Sequence, residues 1–158
     1  MSRADQARDY FKQGLNCAQA VVLAFSDLTG LDRETLLKLS APFGGGMGRM
    51  REACGTVSGM MMVAGMVFYD PASPSSSEKS ALYAREQELA ARFRAQNGSI
   101  ICRELLAGVT IQPGTQAEAR TQEYYKKRPC AELCACAAQI LEEYLAEQGV
   151  LSSDGEKL

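Results

Sequence analysis

Phe43-Gly44-Gly45-Gly46-Met47-Gly48-Arg49-Met50-Arg51-Glu52-Ala53-Cys54-Gly55-Thr56-Val57-Ser58-Gly59 is a glycine-rich loop that delivers a cysteine to the start of an apolar segment. No residue from Ala53 to Tyr69 is charged. Such a run predicts a buried central helix around which the other helices pack. A thiol at its N-terminal end would meet backbone N–H groups that lack an intrahelical partner, and the positive end of the helix dipole. Both favour thiolate over thiol, so Cys54 is a candidate reactive cysteine.

The rest of the chain bounds what that cysteine can do. The 158 residues suffice for one domain with a real core. Hydrophobic residues make up 46% and charged residues 23%, as in ordinary globular proteins. A net charge of -2 gives no long-range attraction for nucleic acid or an anionic membrane. The only basic run, Lys126-Lys127-Arg128, reads as a solvated face. The polar N-terminus has no signal-peptide pattern, and the apolar run is short for a bilayer span, so the expected location is cytoplasmic. Six cysteines in a reducing compartment are not expected to be structural disulfides. There is no histidine, which excludes imidazole ligands and Cys–His pairs. There is no Cys-x-x-Cys either, so thioredoxin-like chemistry lacks its signature.

Helical periodicity dominates the chain, and nothing alternates with period two. The spacing predicts helices over about 4–13, 17–28, 33–40, 54–69, 78–96, 102–106 and 130–147, with 116–127 partly helical. The fold class is therefore all-α, a single-domain bundle of six or seven helices over residues 1–148. Residues 149–158 read as a flexible C-terminal tail, and Asp70 to Ser77 as an exposed loop. Gly55 and Gly59 lie four apart and keep one face of the central helix small. Close approach of a neighbouring helix explains this, and the same face raises the expectation of a homodimer. Met60, Met61, Met62 and Met66 read as adaptable core filling rather than ligands.

Four cysteines share one local setting. Cys17 follows an Asn cap, Cys54 a glycine loop, and Cys130 a helix-starting proline; Cys102 lies three residues after a candidate cap, Ser99. Each falls in the first turn of a predicted helix. Their convergence would bring several positive helix ends together, and a buried anionic centre would compensate: thiolates, a disulfide-forming pair, or a thiolate-bound metal or cluster. Each thiol is expected to titrate below the free value of about 8.5. Arg49 and Arg51 are near enough in sequence to add positive charge at Cys54. The glycines Gly44, Gly45, Gly46 and Gly55 are candidates for presenting N–H groups to sulfur or to a bound group. Cys134 shares a helix face with Cys130, whereas Cys136 points away; both read as small packing residues.

These residues resemble the redox-active protein family named for the pattern C-GCAxxG-C-C. The resemblance runs from Gly14-Leu15-Asn16-Cys17-Ala18-Gln19-Ala20 to the helix after Cys130. Cys54-Gly55-Thr56-Val57-Ser58-Gly59 is similar to the family's cysteine–glycine block, with Thr56 in place of the usual alanine. Ser99-Ile100-Ile101-Cys102-Arg103-Glu104-Leu105-Leu106 resembles the block around its third cysteine. The resemblance implies a redox or iron–sulfur association at Cys17, Cys54, Cys102 and Cys130.

Two readings of function stand side by side. In the first, the four cysteines form one site of an oxidoreductase or electron-transfer component with an unidentified redox partner. It works by dithiol/disulfide cycling, or by holding an iron–sulfur cluster or another thiophilic metal. In the second, the chain is a small helical binding or assembly module whose cysteines are packing residues.

Overall fold

The computed structural model describes residues 1–72 and 74–158; Ser73, within the expected loop, lies outside them. The described residues form eight α-helices and no ladder of strands. These are α1 (Arg3–Lys12), α2 (Cys17–Leu23), α3 (Arg33–Ser40), α4 (Gly55–Phe68), α5 (Ser76–Asn97), α6 (Cys102–Leu105), α7 (Gln122–Lys127) and α8 (Cys130–Glu147). The all-α expectation holds. The count exceeds six or seven because the polar segment condenses into α7, capped by the Thr121 side chain, which accepts from the Tyr124 N–H. Helix α2 stops at Leu23, earlier than its apolar pattern suggests, and the chain continues as a short 3₁₀ turn over Ser26–Leu28.

Asn16 caps α2 in a reciprocal box: its side chain accepts from Gln19 N–H, and the Gln19 side chain accepts from Asn16 N–H. Asp32 caps α3 and Ser75 caps α5 in the same one-sided manner. Helix α8 packs on α1, α2, α4 and α5, and α2 also meets α1, α3 and α4. Helix α4 buries Val57, Gly59, Met60, Val63 and Ala64, while Met61, Met62 and Met66 are half-buried against the core. It therefore shares the centre with α2 and α8. No helix among the described residues is long and apolar enough to cross a membrane.

The small face of α4 is used inside the chain. A Cβ on Gly59 would lie 2.9 Å from Val21 Cβ and 3.1 Å from the Ala18 carbonyl oxygen. Glycine there lets α2 and α4 approach backbone to backbone. Where the sequence suggests a frayed tail after Gly149, Leu151 is instead buried and pairs with Lys157 in an antiparallel bridge. Arg3, itself buried, ties this end down by donating to the Gly155 carbonyl at 3.0 Å and to the Asp27 carboxylate at 2.6 and 2.8 Å.

Gly59→Ala is expected to lower stability by about 1–3 kcal/mol, because Val21 and the α2 backbone must move. Gly65→Ala, in the same helix but with nothing within 4 Å of the added carbon, should raise it by roughly 0.5–1 kcal/mol through helix propensity. Chemical denaturation of both variants checks the pair; a stabilising Gly59→Ala would show that the α2–α4 contact is loose.

Candidate functional site

Each of the four cysteines sits where a helix begins. Cys17, Cys102 and Cys130 are the first residues of α2, α6 and α8, and Cys54 is the residue before α4. Ser99 does not cap α6 as expected; its hydroxyl accepts from the Ile101 N–H and donates to Glu104. Cys102 is placed instead by a short antiparallel pairing. Cys54 N–H donates to the Ile100 carbonyl at 2.8 Å, and Cys102 N–H donates to the Glu52 carbonyl at 2.5 Å, across an Ala53–Ile101 bridge.

The four starts converge. Cys17, Cys54, Cys102 and Cys130 all line one cavity of about 200 Å³, with Gly44, Gly45, Gly55, Arg49, Arg51, Thr56, Glu118, Arg120, Tyr124 and Arg128 among the other walls. Gly46 is not a wall but stands directly behind one: a Cβ there would fall 2.6 Å from Cys102 Cβ. A Cβ on Gly55 would run into Cys17 Sγ, and one on Gly44 into the Asn16 side chain. Gly45 adopts φ +75°, and its backbone N–H favours the charged form of Cys17. The glycines leave room for sulfur and for the cap of the helix that carries it.

Thr56 brings a hydroxyl to the site. Fully buried, its Oγ1 is 3.1 Å from Cys54 Sγ. The remaining two cysteines lie outside the ring. Cys134 is fully buried one helical turn behind Cys130, with its sulfur 3.9 Å from the Cys17 carbonyl. Cys136 faces Asn97 and Gln96 on the other side of α8. All six are free thiols.

Cys17, Cys54 and Cys130 do not titrate low, contrary to expectation. Burial, the largest influence, pushes Cys54 and Cys130 up to about 12, and it raises Cys17 as well. The neighbouring sulfurs add to this: Cys17 is the strongest charged neighbour raising Cys54, Cys130 and Cys134. The expectation weighed helix ends and omitted desolvation, which disfavours any charged form in a dry pocket. Cys17 is the hub of the group.

The sequence foresaw Arg49 and Arg51 but not the other charges. Arg128 belongs to the run that reads as solvated, yet its side chain is only 4% exposed and bonds Glu118 at 2.7 Å. Lys126 and Lys127 do face solvent. Glu118 also meets Arg49 at 3.4 Å, and Arg49 donates to the Gln112 and Gly114 carbonyls. Arg120 stacks over Phe11 at 4.3 Å and donates to the Phe11 and Leu15 carbonyls, both at 3.0 Å. These contacts tie residues 112–120 to the glycine loop and to α1. Arg51 donates to Cys102 Sγ at 3.7 Å and has no carboxylate partner among the described residues. A lone arginine in a loop segment carries no signal in one sequence; only the fold reveals that four of them meet.

Among the described residues, no three Cys, Asp or Glu side chains are gathered closely enough to form a ligand set for a single ion. The ring itself offers four thiols and no imidazole around open space.

The family model described as "Putative redox-active protein (C_GCAxxG_C_C)" matches residues 15–144. No curated protein and no solved structure matches the chain.

Because Cys54 and Cys130 are held protonated by the fold, the folded state binds more protons than the unfolded chain above the free thiol value. Stability of the reduced protein should be fully present below about pH 8.5 and fall as pH rises towards about 12. Thermal unfolding across this range checks the slope. Cys54→Ala should flatten it, and an unchanged slope would mean that Cys54 is not desolvated.

Proposed function

The chain belongs to the C_GCAxxG_C_C redox-active protein family, and on that premise we propose that Cys17, Cys54, Cys102 and Cys130 form its redox site. The observation that supports this reading is the shared cavity: four thiols from four helix starts, far apart in sequence, face one space. Packing cysteines have no reason to share a cavity, nor to stand against glycines whose missing side chains make room for them. That arrangement favours the redox site over the helical module.

The simpler chemistry is dithiol/disulfide cycling. Two cavity thiols lose two protons and two electrons as their S–S bond forms, and a redox partner accepts the electrons; reduction reverses the step. Cys17 is the expected common member of the pair, because its sulfur lies against Gly55, the residue after Cys54, and after burial its ionisation weighs most on Cys54 and Cys130. Raised thiols make attack slow at neutral pH, so the partner or a bound cation must help to draw off the proton.

The donor set supports a second reading, an iron–sulfur cluster held by the same four residues. When bound, such a cluster would supply one-electron transfer. The chain's own part is to shield it from water with Phe11, Leu133 and Tyr124 and to offset its negative charge with the arginines.

Anaerobically reduced protein treated with a mild disulfide oxidant should lose two hydrogens in intact mass, and peptide mapping should place Cys17 in the new bond. Cys17→Ser should suppress this oxidation more than Cys134→Ser or Cys136→Ser. Reconstitution with iron and sulfide reads the second chemistry: a visible absorption band lost in Cys17→Ser supports it. Protein that forms neither disulfide nor cluster, with thiols that react slowly and independently, would sink the redox-site reading in favour of the module.

A further inference from the structure

The charge around the cavity goes beyond what a thiol pair requires. Arg49, Arg51, Arg120 and Arg128 line it, against one carboxylate, Glu118. Arg49 and Arg128 are satisfied by Glu118, and Arg120 by backbone carbonyls and aromatic faces. Arg51 is different. The residue is half-buried and has no carboxylate partner among the described residues, and its side chain hydrogen-bonds the sulfur of Cys102. Arg51 is held in this place by a left-handed backbone, φ +61°, and by its N–H bond to the Gly45 carbonyl at 3.0 Å. Non-glycine residues adopt that conformation at some cost. The cost is incurred beside a thiol, on the wall of a cavity large enough for a small molecule.

We infer that the cavity admits a small anionic electrophile, that Arg51 holds its negative charge, and that Cys102 is the thiol it meets. This rests on the redox-site reading and names the class of co-substrate for that site. In the step, Cys102 gives its proton to solvent. Its sulfur then bonds to the electrophilic atom of the anion as the bond from that atom to its leaving group breaks, and the leaving group departs with the electron pair. The cationic wall leaves uncharged electrophiles of similar size without this attraction.

Iodoacetate and iodoacetamide are a matched pair of probes, alike in size and reactive carbon but differing by one negative charge. Reduced protein carrying Cys136→Ser, which removes the half-buried thiol outside the cavity and leaves the buried Cys134, is treated with each reagent in deficit. Modified peptides are quantified by mass spectrometry, and rates are normalised to N-acetylcysteine. Cys102 should be modified ahead of Cys17, Cys54 and Cys130. Its preference for iodoacetate over iodoacetamide should exceed that of N-acetylcysteine by roughly fivefold, the factor one unit charge at contact distance gives even in bulk water. Arg51→Gln should abolish the preference, Arg51→Lys should retain part of it, and rising salt should diminish it in the unaltered chain.

A preference at Cys102 no greater than that of N-acetylcysteine, or one unchanged in Arg51→Gln, overturns the inference. So does first modification at another cavity thiol. The two readings can fail apart. Ready disulfide formation without anion preference removes only this inference, whereas anion preference without oxidation or cluster binding removes only the redox function.

Discussion

Two backbone hydrogen bonds hold the site in register. Cys54 N–H to the Ile100 carbonyl and Cys102 N–H to the Glu52 carbonyl join segments that are about fifty residues apart in sequence. Among the described residues, they flank the one antiparallel bridge next to the cavity, Ala53–Ile101. Their effect is to fix two thiols relative to each other without a covalent bond. Since Arg103 N–H also donates to the Arg51 carbonyl, at 3.2 Å, the same short ribbon positions the Arg51 side chain. A main-chain pairing of this kind tolerates many side chains, and its sequence signature is correspondingly weak.

Around that ribbon, the glycines and the desolvation of the thiols are two sides of one packing choice. Gly55 and Gly46 are bare because Cys17 and Cys102 occupy the space their side chains would need. Packing that tight excludes water, and exclusion of water pushes Cys17, Cys54 and Cys130 towards the neutral thiol. The helix ends and the Gly45 N–H act in the opposite direction but do not overcome burial. In such surroundings a thiolate forms only where something offsets its charge, as a bound cation would.

The legible and illegible parts of this chain divide by range. Helices α1, α3, α4 and α8 could be read within a residue or so because caps, glycines and Pro129 mark their ends. The positions of the four cysteines were legible for the same reason: a helix start is a local event, marked by the residues beside it. The shift of the thiols was not legible, because burial is a property of the assembled fold. Neither was the docked end at Leu151, which is followed in sequence by the polar run Ser152-Ser153-Asp154 and is tied down by Arg3 reaching across from α1. Ser99 is an instructive near miss: a serine three residues before a helical cysteine is a good cap by pattern, but its hydroxyl accepts from the Ile101 N–H two residues on and meets the helix only through the Glu104 side chain.

Charge shows the limit of composition most clearly. The chain carries a net charge of -2, and from that number no attraction for an anion follows. Yet four arginines and a single glutamate line the cavity. Overall charge governs the far field, but a small ligand at the mouth of a pocket responds to charges within about a Debye length, roughly 8–10 Å at ordinary salt. Arginine suits such walls, since its guanidinium can stack on an aromatic ring and donate to carbonyls while keeping its charge. Arg120 does this over Phe11, and Arg128 over the Tyr124 ring at 4.9 Å. The contacts that make these residues look structural are therefore the same ones that keep positive charge next to the thiols.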